Sequence, residues 1–219
     1  MKEYDESLTH QYDALTQEEK NALLVYKTSL GLLINELDNE PDFQGYYDRF
    51  KRIYNNPINS VLKNVVLSNI NFDTLDTFIN SLYQIKDILD EVTSKLVTPK
   101  EIHVYRAISS FKPISGLSKG NFISTSTSFG ECLKFAVNGK NVNIYEIKIP
   151  AGSRVAICPY GVLEDKKNDR LLVTLDSDQE EIILNTNNYD FEVTRANLNQ
   201  GIEYFEVTAK DKINSLIKK

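Results

Sequence analysis

The chain has 219 residues, 41% of them apolar, which suits one large domain or two small ones with a sizeable buried core. Its formal charge of −6 disfavours bulk nucleic-acid binding, which needs a basic surface, but leaves room for one anionic ligand in a local cationic pocket. Two cysteines (Cys132, Cys158) and two histidines (His10, His103) form no ligand-like cluster, so no metal site is expected, and the cysteines read as buried thiols. The start, Met1-Lys2-Glu3-Tyr4-Asp5-Glu6, lacks the apolar core of a signal peptide, and no run is long enough to span a bilayer. A soluble chain is expected: cytosolic, or reaching its destination by another route, or a mature form without its leader.

The chain reads as two unlike parts, a helical N-terminal lobe over residues 1–97 and a strand-rich part over 98–219. Thr16-Gln17-Glu18-Glu19 has the form of a capping box, in which hydroxyl and carboxylate satisfy backbone donors at a helix start. Leu23, Tyr26, Leu30, Leu33, Ile34 and Leu37 follow at three- and four-residue steps, predicting one helix that ends at Asn39-Glu40-Pro41-Asp42. A second helix is expected over Phe43 to Tyr54, stopped by Asn55-Asn56-Pro57, and a third around Val61, Leu62, Val65 and Val66. A fourth, with Leu75, Phe78, Ile79, Leu82, Ile85, Leu89, Val92 and Leu96, carries an apolar stripe of about six turns that serves core packing.

After Thr98-Pro99 the period changes to two. Ile102 and Val104 alternate with polar or aromatic neighbours as in a strand. Further strands are expected over Asn121 to Ser126, Val142 to Ile149, Arg154 to Ile157, Arg170 to Leu175, Glu180 to Leu184, Phe191 to Thr194 and Ile202 to Val207. Turn residues separate most of them, among them Asn138-Gly139-Lys140, Pro150-Ala151-Gly152 and Asn199-Gln200-Gly201. One helix interrupts the series, opened by the capping box Ser128-Phe129-Gly130-Glu131. The charged run Asp165 to Arg170 reads as a solvated loop. The sum is α+β, a helical region followed by a β-sandwich core, which together form one domain. No Gly-rich fingerprint stands between a strand and a helix, which argues against a Rossmann dehydrogenase.

Three stretches carry chemistry-bearing groups. Val104-Tyr105-Arg106-Ala107 puts an Arg late in a strand. Phe122-Ile123-Ser124-Thr125-Ser126 is a strand with three hydroxyls. Gln179-Glu180-Glu181-Ile182-Ile183-Leu184 sets acidic and amide groups before an apolar strand. Singly each has a plain structural reading: a solvated charge, an edge strand, a solubilising pair. Together and in this order, with 18 residues from Arg106 to Ser124 and 57 from Ser124 to Glu181, they form a set.

That set resembles the bacterial and phage mono-ADP-ribosyltransferases with an Arg / Ser-Thr-Ser / (Glu or Gln)-x-Glu signature, the group with the actin-modifying binary toxins and the clostridial Rho-modifying exoenzymes. The resemblance covers residues 100 to 208, and Pro150-Ala151-Gly152 is similar to a turn these enzymes carry between the second and third elements. It implies an enzyme that uses NAD as substrate and no metal, transfers ADP-ribose to a host protein acceptor, and acts in the cytoplasm of a host or target cell. Cleaving the nicotinamide–ribose bond builds positive charge on the ribose, and a carboxylate stabilises it more in the transition state than in the ground state. The resemblance assigns that role to Glu181, the pyrophosphate to the paired donors of Arg106, and the fixing of Glu181 and its strand to Ser124, braced by Thr125 and Ser126. Gln179 shares a face with Glu181 in an extended segment, and the resemblance implies that it contacts the incoming nucleophile. By the same resemblance Ala107 offers backbone groups to the nicotinamide amide, Lys140 is a basic phosphate contact, and Phe129 or Phe135 stacks on nicotinamide. Asp178-x-Glu180 is a competing frame for the last motif. The segment Leu175-Asp176-Ser177-Asp178 lacks the aromatic that relatives use for target recognition. Two other functions stay open: an NAD glycohydrolase with water as acceptor, and a docking module of the same fold without catalysis.

Overall fold

The computed structural model describes residues 6–28, 30–37, 43–55, 73–109, 117, 121–136, 142–158, 161–165, 170–175, 181–199 and 202–212. They form helices and an eight-stranded mixed sheet, an α+β architecture. Two compact units are present. One comprises residues 1–13, 93–159 and 177–219, the other 14–92 and 160–176. No helix among the described residues is long and apolar enough to cross a membrane.

The second unit is mainly helical. Helix α2 (Gln17–Tyr26) starts on the expected capping box: the Glu19 amide donates to Thr16 Oγ1 at 3.3 Å, and the Thr16 amide donates to Glu19 Oε2 at 2.7 Å. The apolar run expected as one helix is broken in two: α2 closes on its C-cap, Lys27, and a new helix, α3 (Leu30–Glu36), follows. The Thr28 hydroxyl donates back to the Val25 carbonyl at 2.7 Å and accepts the Leu30 amide at 3.2 Å, so one side chain serves both helix ends. Gly31 permits the sharp join, since a Cβ there would stand 2.0 Å from the Tyr26 carbonyl oxygen. Helix α4 (Phe43–Tyr54) has the expected bounds, and α5 (Leu75–Lys95) carries the long stripe, with Phe78, Leu82, Ile85, Leu89 and Val92 all buried. Phe78 packs against Phe50 and Tyr54 at ring distances of 6.3 and 5.5 Å. The helix expected around Val61 to Val66 lies outside the described residues. A hairpin not foreseen as such, β6 (Gly161–Asp165) with β7 (Arg170–Leu175), belongs to this unit and meets α2. Asp165, expected in a loop, pairs with Arg170, the expected first residue of the strand that became β7.

The sheet forms the first unit. Its strands are β1 (Leu96–Val97), β2 (Ile102–Ser109), β3 (Phe122–Ser126), β4 (Val142–Ile149), β5 (Arg154–Cys158), β8 (Glu181–Asn185), β9 (Tyr189–Asn199) and β10 (Ile202–Asp211). Their order is β1-β5-β8-β3-β2-β4-β10-β9, and every pair is antiparallel except β10 with β4. Central pairs run long: β2 matches β4 over eight residues, from Ile102↔Ile149 to Ser109↔Val142. Between β3 and β2 the ladder narrows to one pair, Tyr105↔Ser126. The sheet therefore consists of two four-stranded halves whose backbone ladders share this one pair among the described residues, which is how the two-sheeted core read from the sequence is realised.

Several polar links close this unit. Helix α1 (Glu6–Asp13) sits at the β1 edge, where the Gln11 amide group acts as a strand neighbour. It donates to the Val97 carbonyl at 3.1 Å and accepts the Val97 amide at 2.8 Å, satisfying backbone groups that an edge strand leaves open. Gly152, with φ of 80°, makes the turn between β4 and β5, and its amide donates to the Thr98 carbonyl at 2.7 Å. Arg154 on β5 and Asp211 on β10 join the two halves. The guanidinium donates at 3.2 and 3.0 Å to the two carboxylate oxygens, and the side chains are only 16% and 2% exposed.

Candidate active site

The seam between the halves is also where the chemistry-bearing residues meet. Arg106 follows the seam residue Tyr105, and its Nη1 donates to the Ser124 carbonyl at 2.6 Å. A side-chain donor thus serves a β3 carbonyl where the backbone ladder gives way. On the other side β3 pairs with β8 along its full length, from Phe122↔Asn185 to Ser126↔Glu181. The Ser124 hydroxyl donates to Glu181 Oε1. Glu181 opens β8 and is 3% exposed, so its carboxylate is withdrawn from water and held by a neighbouring strand. Residues 18 and 57 positions apart in the chain therefore form one connected path, Arg106 to Ser124 to Glu181.

The other two hydroxyls of the strand brace it. Thr125 Oγ1 donates to the Ile182 carbonyl at 2.8 Å. Ser126 Oγ accepts the Ser128 amide at 3.0 Å, tying β3 to the start of α6 (Phe129–Ala136), where Ser128 Oγ accepts the Glu131 amide at 3.4 Å. Helix α6 rests on β2 and β4 through a cluster of Cys132, Val142 and Ile144, against which Tyr105, Ala107, Leu133 and Tyr204 pack. Ala107 thus lies under α6 on the same face of β2 as Tyr105. Phe129 is 42% exposed and meets Tyr105 edge-on at 5.3 Å. Gln179, Asp178, Glu180 and Lys140 lie outside the described residues, as does the side chain of Phe135. Cys132 and Cys158 are buried and form no disulfide, and burial pushes the Cys132 thiol up to about 11 against a weaker opposing pull from Arg106. Among the described residues no group of three or more His, Cys, Asp or Glu side chains could hold a metal.

A second polar cluster was passed over by sequence reasoning. Glu146, in the middle of apolar β4, receives His103 Nδ1 at 2.8 Å, the Tyr204 hydroxyl on its other oxygen, and the Tyr105 hydroxyl at 3.5 Å. The signal was a lone carboxylate in the run Val142 to Ile149, directly opposite a tyrosine in the β2–β4 register. Burial works against the charged carboxylate, but donors from Tyr204 and His103 prevail and hold Glu146 below its ordinary value. Burial, then the Glu146 carboxylate itself, pushes the Tyr204 phenol up. A cleft of about 270 Å³ lined by His103, Glu146, Lys148 and Glu206 opens beside this cluster; Arg106, Ser124 and Glu181 do not line it. The size of a cleft does not select the chemistry, and the Arg–Ser–Glu path is the stronger candidate site. The depressed Glu146 value has a sign. Its contribution to stability is whole above about pH 4.5, the carboxyl's ordinary value, and is lost as pH falls through the lower folded value. Urea midpoints measured from pH 7 to pH 3 should fall in the acid range, and Glu146→Gln should flatten part of that fall; an identical acid slope in the variant would show that Glu146 contributes nothing to it.

No protein-family model matches the chain, and no curated protein matches it in sequence. Solved structures do match it in fold. The Vis toxin, an ADP-ribosyltransferase from Vibrio splendidus, superposes with a TM-score of 0.53 at 16% identity over 95% of this chain and 80% of that one. An ADP-ribosyltransferase from Clostridium botulinum superposes with a TM-score of 0.53 at 14% identity over 95% and 96%. The C3 exoenzyme of Clostridium limosum gives 0.51 at 15% over 94% and 90%. The fold is that of the bacterial mono-ADP-ribosyltransferase toxins.

Proposed function

We propose that the chain is a mono-ADP-ribosyltransferase that binds NAD as substrate, breaks its nicotinamide–ribose bond and transfers ADP-ribose to a macromolecular acceptor. The observation that carries this reading is the Arg106–Ser124–Glu181 path at the seam of the sheet. The shared fold supports it. A buried carboxylate fixed by a hydroxyl is a preorganised negative charge, effective for a ribose that becomes cationic as the bond to nicotinamide stretches. The bonding pair leaves with nicotinamide, which departs neutral. A lone pair of the acceptor forms the new bond to the ribose carbon, and the acceptor gives up its proton. Glu181 is assigned to the ribose, and Ser124 to holding Glu181. Arg106 is assigned to the pyrophosphate, because a guanidinium presents paired donors to phosphate oxygens. Thr125 and Ser126 steady the strand, and the backbone groups of Ala107 are assigned to the nicotinamide amide. Gln179, two positions before Glu181, is assigned to orient the acceptor, and Lys140 and Phe135 complete the NAD pocket in this reading.

The test is incubation with labelled NAD and cell lysate, followed by mass spectrometry of the labelled species, with nicotinamide release measured in parallel. Label on a macromolecule supports transfer. Nicotinamide release without label assigns the chain to hydrolysis, with water as acceptor. Neither product overturns the reading. Arg106→Lys keeps the charge but loses the planar paired donors. Calorimetry should show NAD binding weakened by roughly tenfold, about the 1.4 kcal/mol of one hydrogen bond to a charged group. Unchanged affinity would remove Arg106 from the phosphate site.

A further inference from the structure

We propose that Glu146 is a positioning residue for this reaction, acting through Tyr105 on the seam that carries Arg106 and Ser124. The inference rests on the transferase reading above and adds to it a residue that touches neither the reacting bond nor the Arg–Ser–Glu path. Glu146 and Tyr105 are a directly opposed cross-strand pair. The carboxylate gathers donors from β2 and β10 at once: the Tyr105 and Tyr204 hydroxyls and His103 Nδ1. A carboxylate only accepts, so His103 carries its proton on Nδ1 here. The Tyr204 hydroxyl is held closely and the Tyr105 hydroxyl stands at 3.5 Å, and both rings pack under α6 against the cluster of Cys132 and Ile144.

From there two short routes reach the site. Tyr105 is the peptide neighbour of Arg106 and is itself the β2 member of the one backbone pair between β2 and β3 among the described residues, Tyr105↔Ser126. It also meets Phe129 at the start of α6, which is tied to Ser126 by the Ser128 amide. Where a ladder is eight pairs long, a side chain has little leverage on register. Where it is one pair long, the orientation of that residue bears directly on the local meeting of β2 and β3, and with it on the placing of the Arg106 guanidinium against Ser124. A Glu is a poor choice for strand propensity alone, and departures from local preference are expected where function requires them.

The test is steady-state nicotinamide release by the full chain carrying Glu146→Gln, Tyr105→Phe or both, with wild type and Glu181→Gln beside them. Glu146→Gln keeps the shape but turns one acceptor oxygen into a donor group facing a phenol or the imidazole. kcat should fall about 10-fold to 100-fold, the scale of a sub-ångström to ångström misplacement, and KM for NAD should rise with it, because the displaced guanidinium is the one assigned to the NAD phosphates. Tyr105→Phe should lower kcat in the same direction, and the double variant should be no worse than the more damaged single one, because both changes break one path. Circular dichroism and a urea midpoint show that each variant is folded; should Glu146→Gln not fold, Tyr105→Phe alone decides, since it removes only a hydroxyl. Wild-type kcat in a folded Glu146→Gln or in Tyr105→Phe overturns the inference while leaving the transferase reading intact, as does strict multiplicativity of the two effects. A wild-type chain that releases no more nicotinamide than Glu181→Gln overturns the transferase reading, and the inference with it.

Discussion

Glu181→Gln should lower nicotinamide release and ADP-ribose transfer by at least ~10²–10³, the loss typical of one preorganised electrostatic contact to a transition state. The side chain is 3% exposed and receives the Ser124 hydroxyl, so its charge acts with little dilution by water. An amide keeps the volume and still accepts from Ser124 through its oxygen, so the fold should hold. Removing a buried charge also removes a desolvation cost, so the urea midpoint should not fall. NAD affinity should survive in large part, because the phosphates are assigned to Arg106 and the ground-state ribose carries no charge. The diagnostic result is thus a lost kcat on an intact fold with near-normal NAD binding. Turnover close to wild type would show that the carboxylate in question stands elsewhere, and Glu180, in the alternative Asp178-x-Glu180 frame, is the next residue to replace.

Asp211→Ala should destabilise the sheet unit by about 3 kcal/mol or more, the usual cost of taking one partner from a buried ion pair. Arg154 is 16% exposed, and its guanidinium would keep its charge with the carboxylate gone. The loss reaches beyond two side chains. Arg154 also donates its backbone amide to Asp211 at 3.3 Å, and its carbonyl accepts the Tyr189 hydroxyl, so β5, β9 and β10 converge on this point. Replacing both partners with apolar residues, Arg154→Met with Asp211→Leu, should recover much of the loss. Chemical unfolding followed by near-ultraviolet circular dichroism reads both variants. A loss below about 0.5 kcal/mol in Asp211→Ala would mean that the pair behaves as a solvated surface bridge and that the halves are held mainly by other contacts.

How much of this was legible in advance depends on the range of the interaction concerned. Local signals were readable. The Thr16 box, the bounds Phe43–Tyr54, the stripe of α5 and most strands follow from periodicity and caps, which depend on residues a few positions apart. Where a local signal was subtle, it was missed. Thr28 splits one apolar run into two helices through hydroxyl bonds that periodicity does not register. The strand β6 was missed because its charged end reads as loop.

By itself, the sequence determined the α+β class and the set of residues able to do the chemistry, because side-chain type and spacing along the chain are its own properties. Only the tertiary structure decided that Arg106 reaches a backbone carbonyl of the hydroxyl strand, since that contact exists because the β2–β3 ladder is one pair long. It alone set Glu146 under two tyrosines from different strands and joined the halves through Arg154 and Asp211. Strand order and register come from the summed packing of the whole core, and residues far apart in the chain carry no mark of which will face which.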